Sequence, residues 1–133
     1  MMRVLLDTHP CLWTLQGDPQ LSVTAYAVIN DLDNEVLLSV ASLWEMAIKV
    51  RKGGLVVHAG GQSFERTILR DLHAAQIGLL AIAPIHALAV STLPLGEHKD
   101  PFDRLIAVQA MTEGIPLVSR DVQFDQYSVQ RLW

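Results

Sequence analysis

A single cysteine, Cys11, in 133 residues excludes an internal disulfide, and with no second thiol there is no thiolate zinc site. That scarcity fits a reducing compartment. Long hydrophobic runs are also missing: the apolar start "MMRVLL" stops at Asp7 without a small-residue cleavage site, and the longest run, Leu79 to Val90, is broken by Pro84 and His86. Neither export nor membrane insertion is expected, and the sequence predicts a cytoplasmic protein. Charge is sparse at 18% and the balance is acidic, a net −4, so there is no broad basic face for nonspecific nucleic-acid binding. Any contact with nucleic acid falls to local groups.

What is abundant is apolar side chain, at half the residues. A chain of this length suits one domain, 1–133, able to bury roughly two-thirds of its unfolded surface, and the apolar surplus points to a partner, with a homodimer favoured. Strand-like and helix-like patterns alternate. Val4 to Leu6 is a short apolar run of the kind buried on both faces of a parallel sheet. Helices are predicted over Thr8–Gln16, from the Ser22 cap to about Asn34, and over Ser42–Lys52, with a strand at Val36–Val40 between the last two. In the second of these helices Ala25, Val28, Ile29 and Leu32 share one face and Val23, Tyr26 and Ala27 another. Phe64, Ile68, Leu72 and Ala75 recur at helical spacing, and "LLAIAP" reads as a strand ending at Pro84. Helices over Ile85–Thr92 and Pro101–Glu113 and strands over Ile115–Ser119 and Val129–Trp133 complete the chain. The order predicts an α/β protein: a three-layer α/β/α sandwich around a mainly parallel central sheet.

That layout gathers scattered acids. Asp7 and Asp121 fall at or just beyond strand C-termini, while Glu45 and Asp103 are expected in the first turns of helices, so all four face the crevice where open parallel sheets bind ligands. Converging carboxylates repel one another unless a cation neutralises them. Oxygen donors without thiols or paired histidines suit Mg²⁺ or Mn²⁺, and the chemistry suggested is metal-assisted phosphodiester hydrolysis.

Each acid also has a purely structural reading. Ser42-Leu43-Trp44-Glu45 matches a capping box, and "DPFD" at Asp100 to Asp103 is a near-ideal helix start with Pro101 in the first position. Taken singly, capping outranks catalysis for Glu45 and Asp100. Asp7 follows a buried run with no short-range pattern to explain it, which favours function. Asp121 has Asp125 as a rival. His9 and His98 flank acids without metal-ligand spacing. Arg104, Arg120, Lys99 and Thr8 adjoin acids and are candidates for supporting or phosphate contacts. Lys49, Arg51 and Lys52 suit a helix C-terminus, and Trp13, Trp44 and Trp133 suit core or interface.

Four blocks, "LLDTHPCLW" (5–13), "SVASLWEMAIKVRKGGL" (39–55), "HKDPFDRLIAVQA" (98–110) and "PLVSRDVQFDQYSVQRLW" (116–133), resemble in order those of PIN-domain nucleases, specifically VapC-like toxins of type II toxin-antitoxin systems. The resemblance implies a Mg²⁺- or Mn²⁺-dependent endoribonuclease held silent by a VapB-like antitoxin. By motif position Asp7, Glu45, Asp103 and Asp121 match the family acids, Asp100 is an additional acid, and Ser119 stands where the family often has Thr. Arg120 stands where a small residue is common and Val108 where Ala is. Two alternatives remain: a noncatalytic PIN-like interaction module, and a phospho-receiver domain. The receiver needs an acidic pair after the first strand and a Lys after the fifth; here Asp7 stands alone and no Lys follows Ile115.

Overall fold

The computed structural model describes residues 1–55, 61–96 and 99–133; His98 lies outside them. Five strands, β1 (Arg3–Leu6), β2 (Glu35–Ser39), β3 (Ile77–Leu80), β4 (Leu117–Val118) and β5 (Arg131–Leu132), form one sheet in the order β3-β2-β1-β4-β5. Every pairing is parallel. Six helices accompany them: α1 (Thr8–Gln16), α2 (Val23–Asn30), α3 (Val40–Arg51), α4 (Phe64–Ala74), α5 (Pro84–Ala89) and α6 (Pro101–Glu113), with short 3₁₀ turns at Val90–Thr92 and Val122–Gln126. The expected α/β/α sandwich is present. A receiver domain places its first strand between the second and third; here β2 separates β1 from β3, which removes that alternative.

The period-2 alternation of the strands divides the core in two. Val4, Leu6, Val36 and Leu38 face one side with Cys11, Ile29, Met46 and Leu72, whereas Leu5, Leu37 and Leu117 face the other with Ile106, Ala110 and Phe124. Val4, Leu5 and Leu6 are fully buried, and burial on this scale stabilises by about 1.5–3 kcal/mol per side chain. The central strand β1 therefore points its C-terminal Asp7 at a fixed place. A buried polar clamp sets the two helices that flank this end: Ser39 at the N-cap of α3 donates to Gln109 Oε1 of α6, and Gln109 Nε2 donates to the Ala81 carbonyl at 3.2 Å.

Several boundaries differ from those expected. Helix α3 begins at Val40 because Ser39, not Ser42, accepts the first free amide, from Ala41 at 3.0 Å. Glu45 is thereby a second-turn residue, and the capping-box reading of Ser42 and Glu45 fails. Helix α2 stops at Asn30, leaving Leu32 87% exposed rather than on the buried face. Strand β3 starts at Ile77, since Gln76 turns the chain with φ 59°, and it leaves the sheet before Ala81. The C-cap of α6 is as expected: Gly114 adopts φ 66°, a left-handed conformation that costs glycine little.

Candidate active site

Five carboxylates line one cleft of about 390 Å³: Asp7, Glu45, Asp100, Asp103 and Asp121, together with His9, Trp13, Lys49 and Arg120. They arrive from the C-terminal ends of β1 and β4 and from helices α3 and α6, as the crevice rule for parallel sheets requires. Asp125 is turned elsewhere. Arg131 Nε donates to its Oδ1 at 2.8 Å and holds its carboxyl below the usual carboxylate range. Of Asp121 and Asp125, it is Asp121 that lines the cleft.

Local structure explains how each acid is held. Asp7 is the N-cap of α1: Oδ1 accepts from the Thr8 amide at 2.8 Å and Oδ2 accepts from the Ser119 hydroxyl at 2.8 Å. A short-range pattern for Asp7 did exist, then, and it is a cap. Asp100 caps α6 through Oδ1, which accepts from the Phe102 amide at 2.9 Å and the Asp103 amide at 3.2 Å. Asp121 caps the 3₁₀ turn through Oδ1, accepting from Gln123 at 2.9 Å, and its own amide donates to Ser119 Oγ at 3.0 Å. Three of the five acids therefore cap a turn and line the cleft at once, because a helix start presents free amides that fix a carboxylate.

Glu45 is held differently. Its Oε1 lies 2.6 Å from Thr8 Oγ1, which is also 3.0 Å from Ser42 Oγ. Thr8 has one proton, and the carboxylate takes it, so Ser42 is left to donate to Thr8. Lys49, one turn on, sits 3.5 Å from Glu45 Oε2. Lys49 reads in sequence as a helix C-terminus charge; the Glu45–Lys49 i,i+4 spacing was the available signal for its place in the cleft.

Burial dominates the electrostatics of Asp7. Desolvation raises its pKa, the bonds from Ser119 and the Thr8 amide pull it down, and nearby Glu45 pushes it up again. A carboxylate so placed favours a cation beside it. The donor set is oxygen-rich and free of thiols, which suits a hard divalent ion. Among the described residues no group of three or more acids or imidazoles is drawn tightly enough to cage an ion.

The remaining candidates separate. Thr8 and Ser119 are buried and bond the acids rather than the cleft space. Arg120 lines the cleft with its guanidinium 4.7 Å from the Trp13 ring centroid. Arg104 is not among the residues that line it, and its Nη1 donates to the Pro94 carbonyl at 2.8 Å. Trp13 and Trp133 pack together at 5.9 Å, as expected of core residues, but Trp44 is 61% exposed and meets Phe102 edge-on at 5.0 Å. No helix among the described residues is long and apolar enough to cross a membrane.

Known proteins sharpen the picture. The PIN domain matches residues 4–130. Ribonuclease VapC22 of Mycobacterium tuberculosis is 30% identical over 121 residues, covering 91% of this chain and 88% of that protein. The fold is similar to VapBC2 from Rickettsia felis, solved with a promoter DNA fragment (TM-score 0.68, 17% identity, 99% of this chain and 100% of that one). It is also similar to VapBC-1 from nontypeable Haemophilus influenzae (TM-score 0.66, 20% identity, 98% and 96%). With its matching blocks, its sheet order and its ring of acids, the chain belongs to the PIN domain family, as a VapC-like member.

Proposed function

We propose that this protein is a Mg²⁺- or Mn²⁺-dependent endoribonuclease that hydrolyses RNA phosphodiester bonds as the toxin of a type II toxin-antitoxin pair. The observation that carries the reading is the convergence of Asp7, Glu45, Asp100, Asp103 and Asp121 on one cleft. In this reading Asp7 and Asp103 hold the principal ion, Glu45 and Asp100 support it or orient water, and Asp121 completes the ring or positions a second ion. The bound ion supplies Lewis-acid charge and a water of lowered pKa. Thr8 fixes the Glu45 carboxylate and Ser119 fixes Asp7, so both acids are pre-aimed before substrate arrives. Lys49 and Arg120 offset the negative potential that an RNA backbone would otherwise meet.

The solved relatives are complexes of toxin with antitoxin, which supports a VapB-like antitoxin as the partner here. A homodimer accords with exposed apolar side chains such as Val23, Tyr26, Ile85 and Leu88. The test is cleavage of total RNA by the purified protein and by Asp7→Asn. Wild type fragments the RNA and the variant, folded by circular dichroism, does not. A variant that cuts as wild type does removes the assignment.

A further inference from the structure

Among the described residues, the acidic cleft is lined by one arginine that its own acids do not claim. Lys49 is paired with Glu45, yet for Arg120, adjacent in sequence to Asp121, no carboxylate lies within ion-pair distance among the described residues. Its guanidinium instead lies over Trp13, 4.7 Å from the ring centroid, with a long 3.5 Å contact from Nη1 to Gln20 Oε1. Trp13 is itself fixed, 8% exposed and packed on Trp133 and His9. An exposed arginine held by a buried indole has its long side chain ordered in advance. Arg120 stays exposed and lines the cleft while its guanidinium carbon is held against the indole.

We propose that Arg120 on Trp13 is a nucleotide clamp for single-stranded RNA, its N–H edge gripping a phosphate next to the scissile one and its open face stacking the attached base. The proposal rests on the ribonuclease reading and adds a substrate-binding residue to it. A planar fork suits phosphate bidentately, and guanidinium planes are regular stacking partners for unpaired bases. Double-stranded RNA keeps its bases stacked on one another and cannot use the open face, so the clamp selects single strands. Arg120→Lys keeps the charge and loses the plane; Arg120→Ala loses both.

The test measures binding of a short fluorescent single-stranded RNA by anisotropy across a salt series, in the Asp7→Asn background so that no cleavage intervenes. Arg120→Ala is expected to weaken binding by more than tenfold and to flatten the salt slope by about 0.7, one phosphate contact on a single strand. Arg120→Lys is expected to retain the slope but lose about tenfold in affinity, the scale of one stacked base. An RNA abasic at the stacked position should bind parent and Arg120→Lys alike. Equal affinity and slope for parent and Arg120→Ala would overturn the clamp while leaving the nuclease reading intact. Absence of any RNA binding by the parent also overturns the clamp, whereas the nuclease reading stands or falls with cleavage by the wild-type protein.

Discussion

Ser119→Ala is the substitution that most directly probes how the cleft is held. Ser119 is fully buried and its hydroxyl makes two bonds, donating to Asp7 Oδ2 at 2.8 Å and accepting from the Asp121 amide at 3.0 Å. A hydrogen bond to a charged group contributes about 1.5–3 kcal/mol, and a neutral one about 1. Allowing for partial rehydration of the Asp121 amide, the loss at neutral pH is about 2–3 kcal/mol, which lowers Tm on the order of 10 °C for a chain of this size. The sign with pH follows from which form of Asp7 the hydroxyl favours. Ser119 stabilises the carboxylate, and burial already raises the Asp7 pKa; deleting the hydroxyl raises it further. The cost is therefore greatest above the raised folded-state pKa of Asp7, where wild type is ionised, and shrinks as pH falls through that value and Asp7 takes up a proton. Urea unfolding of the metal-free protein between pH 4 and 8 measures it, with Ser119→Thr as the variant that keeps the hydroxyl. The same change should weaken Mg²⁺ binding by about 10–100-fold, because the hydroxyl that orients the Asp7 carboxylate is lost. A destabilisation that is flat across pH, or below about 0.5 kcal/mol, would refute the reasoning.

Other perturbations separate the roles of individual groups. Asp7→Asn should abolish RNA cleavage yet stabilise the metal-free fold: with a folded pKa raised above 3.8, Asp7 costs stability as pH rises through it, and the amide escapes that cost. Denaturation at neutral pH should show the variant unfolding at higher urea than wild type, and the reverse order contradicts the burial argument. Asp121→Asn should reduce cleavage while Asp125→Asn leaves it unchanged, since Asp125 is engaged by Arg131 away from the cleft; equal effects in a cleavage assay would remove that distinction. Cys11, pushed by burial to about 12, should resist alkylation at pH 8 in the native protein and react on unfolding, as mass spectrometry would record.

The layers were legible because burial on both faces leaves an apolar signature in β1, β2 and β4, and the helix starts because Ser22, Asp100 and Pro101 are strong local signals. The acids were legible individually, but their convergence depends on pairings as distant as Leu6 with Val118. Errors arose where two local solutions compete. Ser39 and Ser42 both suit an N-cap, and the sheet decides: β2 stays paired to β1 through Leu38 and to β3 through Ser39, so the helix starts at the next residue, Val40, and Ser39 caps it. Arg104 and Arg120 look alike beside their acids in sequence, yet α6 turns one toward Pro94 while the loop after β4 lays the other on Trp13. Capping and lining the cleft looked like rival readings of Asp100. A carboxylate has two oxygens, and Asp7, Asp100 and Asp121 each show that one can cap while the residue borders the cleft.

In the proposed function these acids act on RNA through a divalent ion. The most direct measurement is cleavage of total RNA by the purified wild-type protein after exhaustive EDTA treatment, followed by titration with Mg²⁺ or Mn²⁺. The expected result is no cleavage in EDTA and a saturable return of activity with either ion, absent in Asp7→Asn. Undiminished cleavage in EDTA would contradict it.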